Sequence, residues 1–165
     1  MLDTKSRYKL FVFMNYWLLK SEPEVFSIDD LKKHKNTIWD GVRNYQARNF
    51  LKAMQVGDLA FFYHSNTVPP GIVGLCQVIE THLPDPSQFD PGSPYFDPGS
   101  TIENPRWWTV RVGFVEKFER MLTLELLRQN FGPDELILLR RGNRLSVMPV
   151  ASEVAERIIA LKASR

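Results

Sequence analysis

Residues 59–81 read LAFFYHSNTVPPGIVGLCQVIET. The runs Leu59 to Ser65 and Ile72 to Thr81 are rich in aromatic and β-branched residues, and they read as two strong strands. Upstream, Tyr16-Trp17-Leu18-Leu19-Lys20 is a short buried strand ended by Ser21-Glu22-Pro23. Ser27 with Asp30 approximates a capping box, so a helix starts there with Ile28 and Leu31 on its apolar face. Asn44 is placed to cap a second helix, in which Ala47, Phe50, Leu51 and Met54 recur at helical spacing until Gly57-Asp58. Downstream, Trp107 to Phe118 alternates, with Val110, Val112 and Phe114 on one face. Thr123 caps a helix carrying Leu124 and Leu127. Arg144 to Val150 is a last strand, and Ser152 caps a closing helix through Ile158, Ile159 and Leu161. The pattern predicts an α+β fold, a mostly antiparallel sheet curled into a barrel with helices outside it.

Between the strand blocks, residues 83–105 read LPDPSQFDPGSPYFDPGSTIENP. Proline and glycine recur and the charge is acidic, which marks a long surface loop, functional or mobile. No internal repeat and no interdomain linker is visible. The 165 residues suit one domain, expected over residues 14–165, with residues 1–13 an extension upstream of a start at Met14. That extension could still add a strand.

The formal net charge is only +2, so any nucleic-acid binding has to come from a local patch. A single cysteine, Cys76, cannot form an intramolecular disulfide and fits a reducing, intracellular and cytoplasmic setting, with association to the nucleoid compatible with it. No apolar run approaches the roughly 20 residues needed to span a bilayer, so no membrane partner is expected.

The chain advertises no reaction. His64 and Ser65 are neighbours on a strand and point to opposite faces, so they cannot act as base and nucleophile. Gly71-Ile72-Val73-Gly74 opens a strand rather than a helix and lacks the lysine of a phosphate loop. The histidines His34, His64 and His82 are scattered, and neither a metal nor a cofactor is expected. Cys76 reads as a small core residue. Asp29 and Asp30 suit the first turn of a helix, and prolines separate Asp85, Asp90 and Asp97.

What remains is a set of polar and aromatic residues at strand ends and helix starts. They are Trp39 followed by Arg43, Asn44, Gln46, Arg48 and Asn49; Lys20 and Ser21; His64, Ser65 and Asn66; and Arg140, Arg141, Arg144 and Ser146. Such positions are where a scaffold displays binding groups. The residue types suit a flat heteroaromatic ligand such as an unstacked or flipped base, with an aromatic face for stacking and amides and hydroxyls for its edge. On the same residues, Trp39 can equally plug a barrel end and the arginines can be solvated charges.

WLLKSEP (17–23), WDGVRNYQARNFLKAMQVGDLAFFYHSN (39–66), GIVGLCQVI (71–79), NPRWWTVRVGFVEKF (104–118) and RLSVMPV (144–150) together resemble the EVE domain family, from about Met14 to the C-terminal helix. The resemblance implies a PUA-like fold, a small mixed, mostly antiparallel β-barrel with flanking helices, and a relation to YTH domains, which read methylated adenine through an aromatic cage. It implies a binding module for a modified base in DNA or RNA, not an enzyme. Ile38-Trp39 resembles the segment whose tryptophan forms a cage wall, Lys20-Ser21 a lysine–serine pair by that pocket, and Phe62 to Asn66 a strand bringing an asparagine towards the base. Trp107 or Trp108 falls where further cage tryptophans are expected. Asp40 and Gly41 depart from the YTH pattern, and a carboxylate there can accept from an exocyclic amine, which points to a different base such as a modified cytosine.

The expected ligand set is therefore Trp39, Asp40, Lys20, Ser21, Asn44, Arg48, His64, Ser65, Asn66, Trp107, Arg144 and Ser146. Two other readings stand beside it. Lys20-Ser21-Glu22 holds the residue types of PUA-like amide hydrolases acting on a modified base or nucleoside, and the pocket could instead serve a small anion or a protein.

Overall fold

The computed structural model describes residues 14–164; the extension expected over residues 1–13 lies outside them. Six strands and four helices follow in order. They are β1 (Tyr16–Ser21), α1 (Ile28–His34), β2 (Asn36–Ile38), α2 (Tyr45–Ala53), β3 (Leu59–His64), β4 (Gly71–Pro84), β5 (Trp108–Thr123), α3 (Leu124–Asn130), β6 (Val147–Val150) and α4 (Ser152–Ala163). Short 3₁₀ turns occupy Pro86–Phe89 and Ile137–Leu139. No helix among the described residues is long and apolar enough to cross a membrane.

The strands form one sheet in the order β2-β5-β4-β3-β1-β6. All pairs are antiparallel except β1 with β3, which run parallel from Tyr16 opposite Leu59 to Ser21 opposite His64. Parallel neighbours need a long crossover, and here residues 22–58 supply it, carrying α1, β2 and α2.

The continuous apolar runs of β1 and β3 follow from burial on both faces. Trp17, Leu19, Ala60 and Phe62 face one core, capped by Ile28 and Leu31 of α1 and Ala47 and Leu51 of α2. Leu18, Phe61 and Tyr63 face the other, against Leu127 of α3 and Val154, Ala155 and Ile158 of α4. Cys76 is a buried member of the first core, and burial pushes its thiol pKa up to about 12. Gly74 lies where β4 shifts register, and a side chain there would strike the Glu116 carbonyl of β5.

Helix starts largely follow the sequence. Ser27 and Asp30 form a reciprocal capping box, the Asn44 side chain accepts from the Ala47 N–H at 2.9 Å, and Thr123 accepts from Leu126 at 3.1 Å. Ser152 is a correction: it is already helical, and Ala151 occupies the cap without a side-chain bond. The last strand is shorter than expected, so Arg144 to Ser146 precede it.

The expected barrel is not closed by hydrogen bonds. Among the described residues β2 and β6 are the sheet's two edges, and no ladder joins them. Helix α2 packs against both β5 and β6. A helix about 10 Å across seated at that seam keeps the edges beyond the roughly 4.8 Å spacing of paired strands.

Candidate nucleic-acid interface

The open seam is the site of a cleft of about 640 Å³. Its walls come from the end of β1 (Lys20, Ser21, Glu22), the turn that follows (Val25, Phe26), β2 (Thr37, Ile38), the segment Trp39 to Val42, and Ser65 after β3. Tyr95 of the long loop and Arg144 and Ser146 ahead of β6 complete it.

Trp39 is held firmly. Its N–H donates to the Val110 carbonyl at 2.9 Å, its carbonyl accepts from the Thr109 hydroxyl, and its ring meets Phe62 edge-on at 5.5 Å. Only 8% of the residue is exposed, so it is core on one side and cleft wall on the other. Asp40, next in sequence, is exposed and accepts no hydrogen bond from another residue. Desolvation at the cleft wall, then the charge of Asp85, raise its carboxyl pKa above the ordinary value.

Lys20 and Arg144 bring cations into the cleft without an ion pair or side-chain hydrogen bond to another described residue. Burial lowers the Lys20 pKa, because the ammonium is partly desolvated. The Ser21 hydroxyl donates to the Phe26 carbonyl at 2.5 Å. The Ser65 N–H donates to the Ser21 carbonyl at 3.0 Å, and Lys20 N–H to the Ser146 carbonyl at 2.9 Å, so backbone pairing draws three wall segments together.

Seven residues of the expected set thus converge: Trp39, Asp40, Lys20, Ser21, Ser65, Arg144 and Ser146. The other five lie elsewhere. Asn44 caps α2. His64 accepts the Ile28 N–H at its Nε2, 3.1 Å away, and so caps the start of α1. Asn66 occupies a left-handed turn (φ 52°) beyond β3. Arg48 donates to the Arg106 carbonyl and to Asn49, lying over Tyr45 at 4.8 Å. Trp107 is buried, donating from Nε1 to Asp97 at 2.8 Å and stacking on Tyr45 at 5.0 Å. Its neighbour Trp108 donates to the Pro105 carbonyl at 3.1 Å.

Sequence reasoning missed Tyr95, and with it the device that sets one wall. Arg43 donates to the buried Asp85 at 2.9 Å, to Ser87 at 3.0 Å, and to the Tyr95 carbonyl from Nε at 2.9 Å and Nη2 at 2.7 Å. Its guanidinium also lies over Trp107 at 5.0 Å. The other bonds to the Asp85 carboxylate come from Gly41 N–H, Ser87 N–H and the Ser87 hydroxyl. Gln88 is fully buried and satisfied, donating to the carbonyls of Asp85 and Trp107 and accepting from Ser100 and the Trp107 N–H. The acidic loop is therefore pinned to the Trp39–Arg43 segment rather than loose. Gly41 adopts φ 83°, and a Cβ there would lie 2.7 Å from the Tyr95 ring. The legible signal was Tyr95-Phe96, two adjacent aromatic residues in a loop rich in proline, glycine and acids.

The EVE domain matches residues 15–161 of the chain. The chain belongs to the EVE domain family. This EVE domain is 44% identical to mouse thymocyte nuclear protein 1, over 90% of this chain and 74% of that protein. Among solved structures it is similar to a Pseudomonas syringae protein, 48% identical with a TM-score of 0.86, over 89% of this chain and 99% of the other. It is also similar to human THYN1 protein solved in complex with 5-methylcytosine-containing DNA, 42% identical with a TM-score of 0.84, over 90% of this chain and 97% of that one.

Proposed function

We propose that this EVE domain binds a modified base in nucleic acid without turning it over, and that the base is a modified cytosine in DNA. The observation that carries this is the cleft itself: a rigid Trp39 wall beside an Asp40 carboxylate that accepts no hydrogen bond from another described residue. The complex of human THYN1 with 5-methylcytosine-containing DNA, whose solved chain has a similar fold, supports the choice of ligand.

In this reading a flipped base enters the cleft with one face on Trp39 and Tyr95 available as a second aromatic surface. Base stacking on aromatic side chains is worth about 1–3 kcal/mol. Asp40 accepts from the exocyclic amine of cytosine, and Lys20 donates to its carbonyl oxygen. The apolar side chains of Phe26, Ile38 and Val42 leave an unpolar wall for a 5-methyl group. The hydrolytic alternative would use Lys20, Ser21 and Glu22, but the Ser21 proton is committed to the Phe26 carbonyl.

The test separates methyl from amine. Thymine carries the same 5-methyl group as 5-methylcytosine but an acceptor in place of the amine. The protein should prefer oligonucleotides with 5-methylcytosine over thymine at the same position and fixed salt. Asp40→Ala should cut that preference about 10- to 100-fold, the worth of one charge-assisted hydrogen bond. A preference that survives in Asp40→Ala would overturn the assigned role. Matched DNA and RNA strands settle the polymer, and failure to bind either would move the reading to a small anion or a protein.

A further inference from the structure

The base-reading cleft lies between two groups of basic side chains, of which the ligand set above uses only Arg144. On the β2 side, the last turn of α1 and its cap present Lys32, Lys33, His34 and Lys35, all exposed. None of the three lysines forms an ion pair or a side-chain hydrogen bond with another described residue; the six ion pairs present there use Arg43, Arg106, Arg111, Lys117, Arg157 and Lys162. On the β6 side, the turn around Gly142 presents exposed Arg141 and Arg144, also unpaired.

Both groups are tied to the cleft. The His34 ring stacks on Phe26, a cleft residue, at 6.2 Å. Lys35 precedes the extended segment Asn36–Ile38, whose Thr37 and Ile38 line the cleft, so its Cα lies within about 10 Å of that of Ile38. Arg144 is itself a wall residue. A helix C-terminus favours a basic residue or two, but that does not account for three lysines within four positions. Both acids of α1 have hydrogen-bonded partners elsewhere, Asp29 with Lys117 at 2.8 Å and Asp30 in the capping box, and Lys33 and His34 act on Asp30 only through their charge. Meanwhile Glu22 and Asp40 put carboxylates into the cleft, which makes it a poor seat for phosphate. The interior suits a base and the two flanks suit its backbone.

We infer that the strand carrying the inserted base runs across the mouth of the cleft from edge to edge of the sheet, its phosphates held by Lys32, Lys33 and Lys35 on one side and by Arg141 and Arg144 on the other. This rests on the base-binding reading and extends it to the path of the backbone. Such contacts carry no sequence information; they set affinity and its salt dependence.

The measurement is binding of duplex DNA containing one 5-methylcytosine, and of the unmodified duplex, from about 50 to about 200 mM salt. The triple variant K32Q/K33Q/K35Q should lower affinity for both duplexes alike, on the order of 100-fold at about 0.1 M salt, and flatten the salt slope by about 2 to 3. The preference for the modified duplex should not change. A control that removes as much charge away from the cleft, K52Q/R120Q/R128Q, should shift neither slope nor affinity by more than a third of that. All six positions are exposed, and circular dichroism checks folding. An unchanged slope in K32Q/K33Q/K35Q, or an equal effect in the control, overturns the inferred path. Wild-type protein that shows a salt slope but no preference between the duplexes would instead sink the base-reading cleft and leave the basic flanks standing.

Discussion

Two clusters built from the same kinds of side chain share the segment Trp39–Arg43. One is the knot of Arg43, Asp85, Ser87, Gln88 and Trp107, in which every buried polar group has a partner inside the protein. The other is the cleft, where the side chains of Asp40, Lys20 and Arg144 have no hydrogen-bond partner among the described residues. Tryptophan, arginine and carboxylate occur in both. A satisfied buried network rigidifies, whereas convergent unsatisfied groups around a concavity are what a ligand can complete. The knot lies directly behind the cleft: its Asp85 bonds hold Gly41 and Arg43, and its Arg43 holds the Tyr95 wall.

The contrast is easiest to break at its two carboxylates. Asp85→Ala strips four hydrogen bonds and leaves the half-buried Arg43 without its ion-pair partner, so it should cost about 3–5 kcal/mol in urea unfolding. Asp40→Ala should leave the melting temperature where it is and alter binding alone. If the two variants were equally stable, the knot would not be the scaffold.

A smaller effect is expected where the clusters touch. Gly41→Ala forces a left-handed φ on a residue with a Cβ and presses on Tyr95. It should destabilise by about 1–3 kcal/mol and weaken nucleic-acid binding by displacing a wall. Loss of stability with unchanged affinity would remove Tyr95 from the site.

The smallest effect is one of pH. Burial lowers the His64 pKa below its ordinary 6.5, and the ring accepts the Ile28 N–H only while Nε2 is unprotonated. The unfolded chain therefore takes up a proton before the folded one. This contribution to stability is complete above the unfolded pKa and is lost as pH falls through the lower folded value. The melting temperature should decline between about pH 7 and about pH 5, and His64→Gln, an acceptor that does not titrate, should flatten that decline.

How much was legible in the sequence depends on the range of the interaction involved. The runs in β1, β3 and β4 could be read as strands because burial on both faces demands consecutive apolar residues. Ser27, Asn44 and Thr123 could be read as caps because a cap and its partner lie three residues apart. Strand β2 escaped notice, since three residues carry no periodicity. Asn44 and His64 were expected at the ligand, yet their acceptors are used on helix starts, which take any acceptor that folding brings near. Asp85 read as one more acid in a proline-rich loop, and only its burial against Arg43 gives it a role.

By itself the sequence determined the α+β class, every strand except β2 and most helix caps, and it marked Trp39-Asp40, Lys20-Ser21, Arg144 and Ser146 as candidate binding groups. Local periodicity and local hydrogen bonding encode these things. Tertiary structure decided that the sheet stays open at the β2–β6 seam with α2 seated across it, and that residues more than a hundred positions apart line one cleft there. It also decided which tryptophan became a wall and which a buried post. Those outcomes depend on contacts distant in sequence, where the same residue types are satisfied or left open according to what the fold brings beside them.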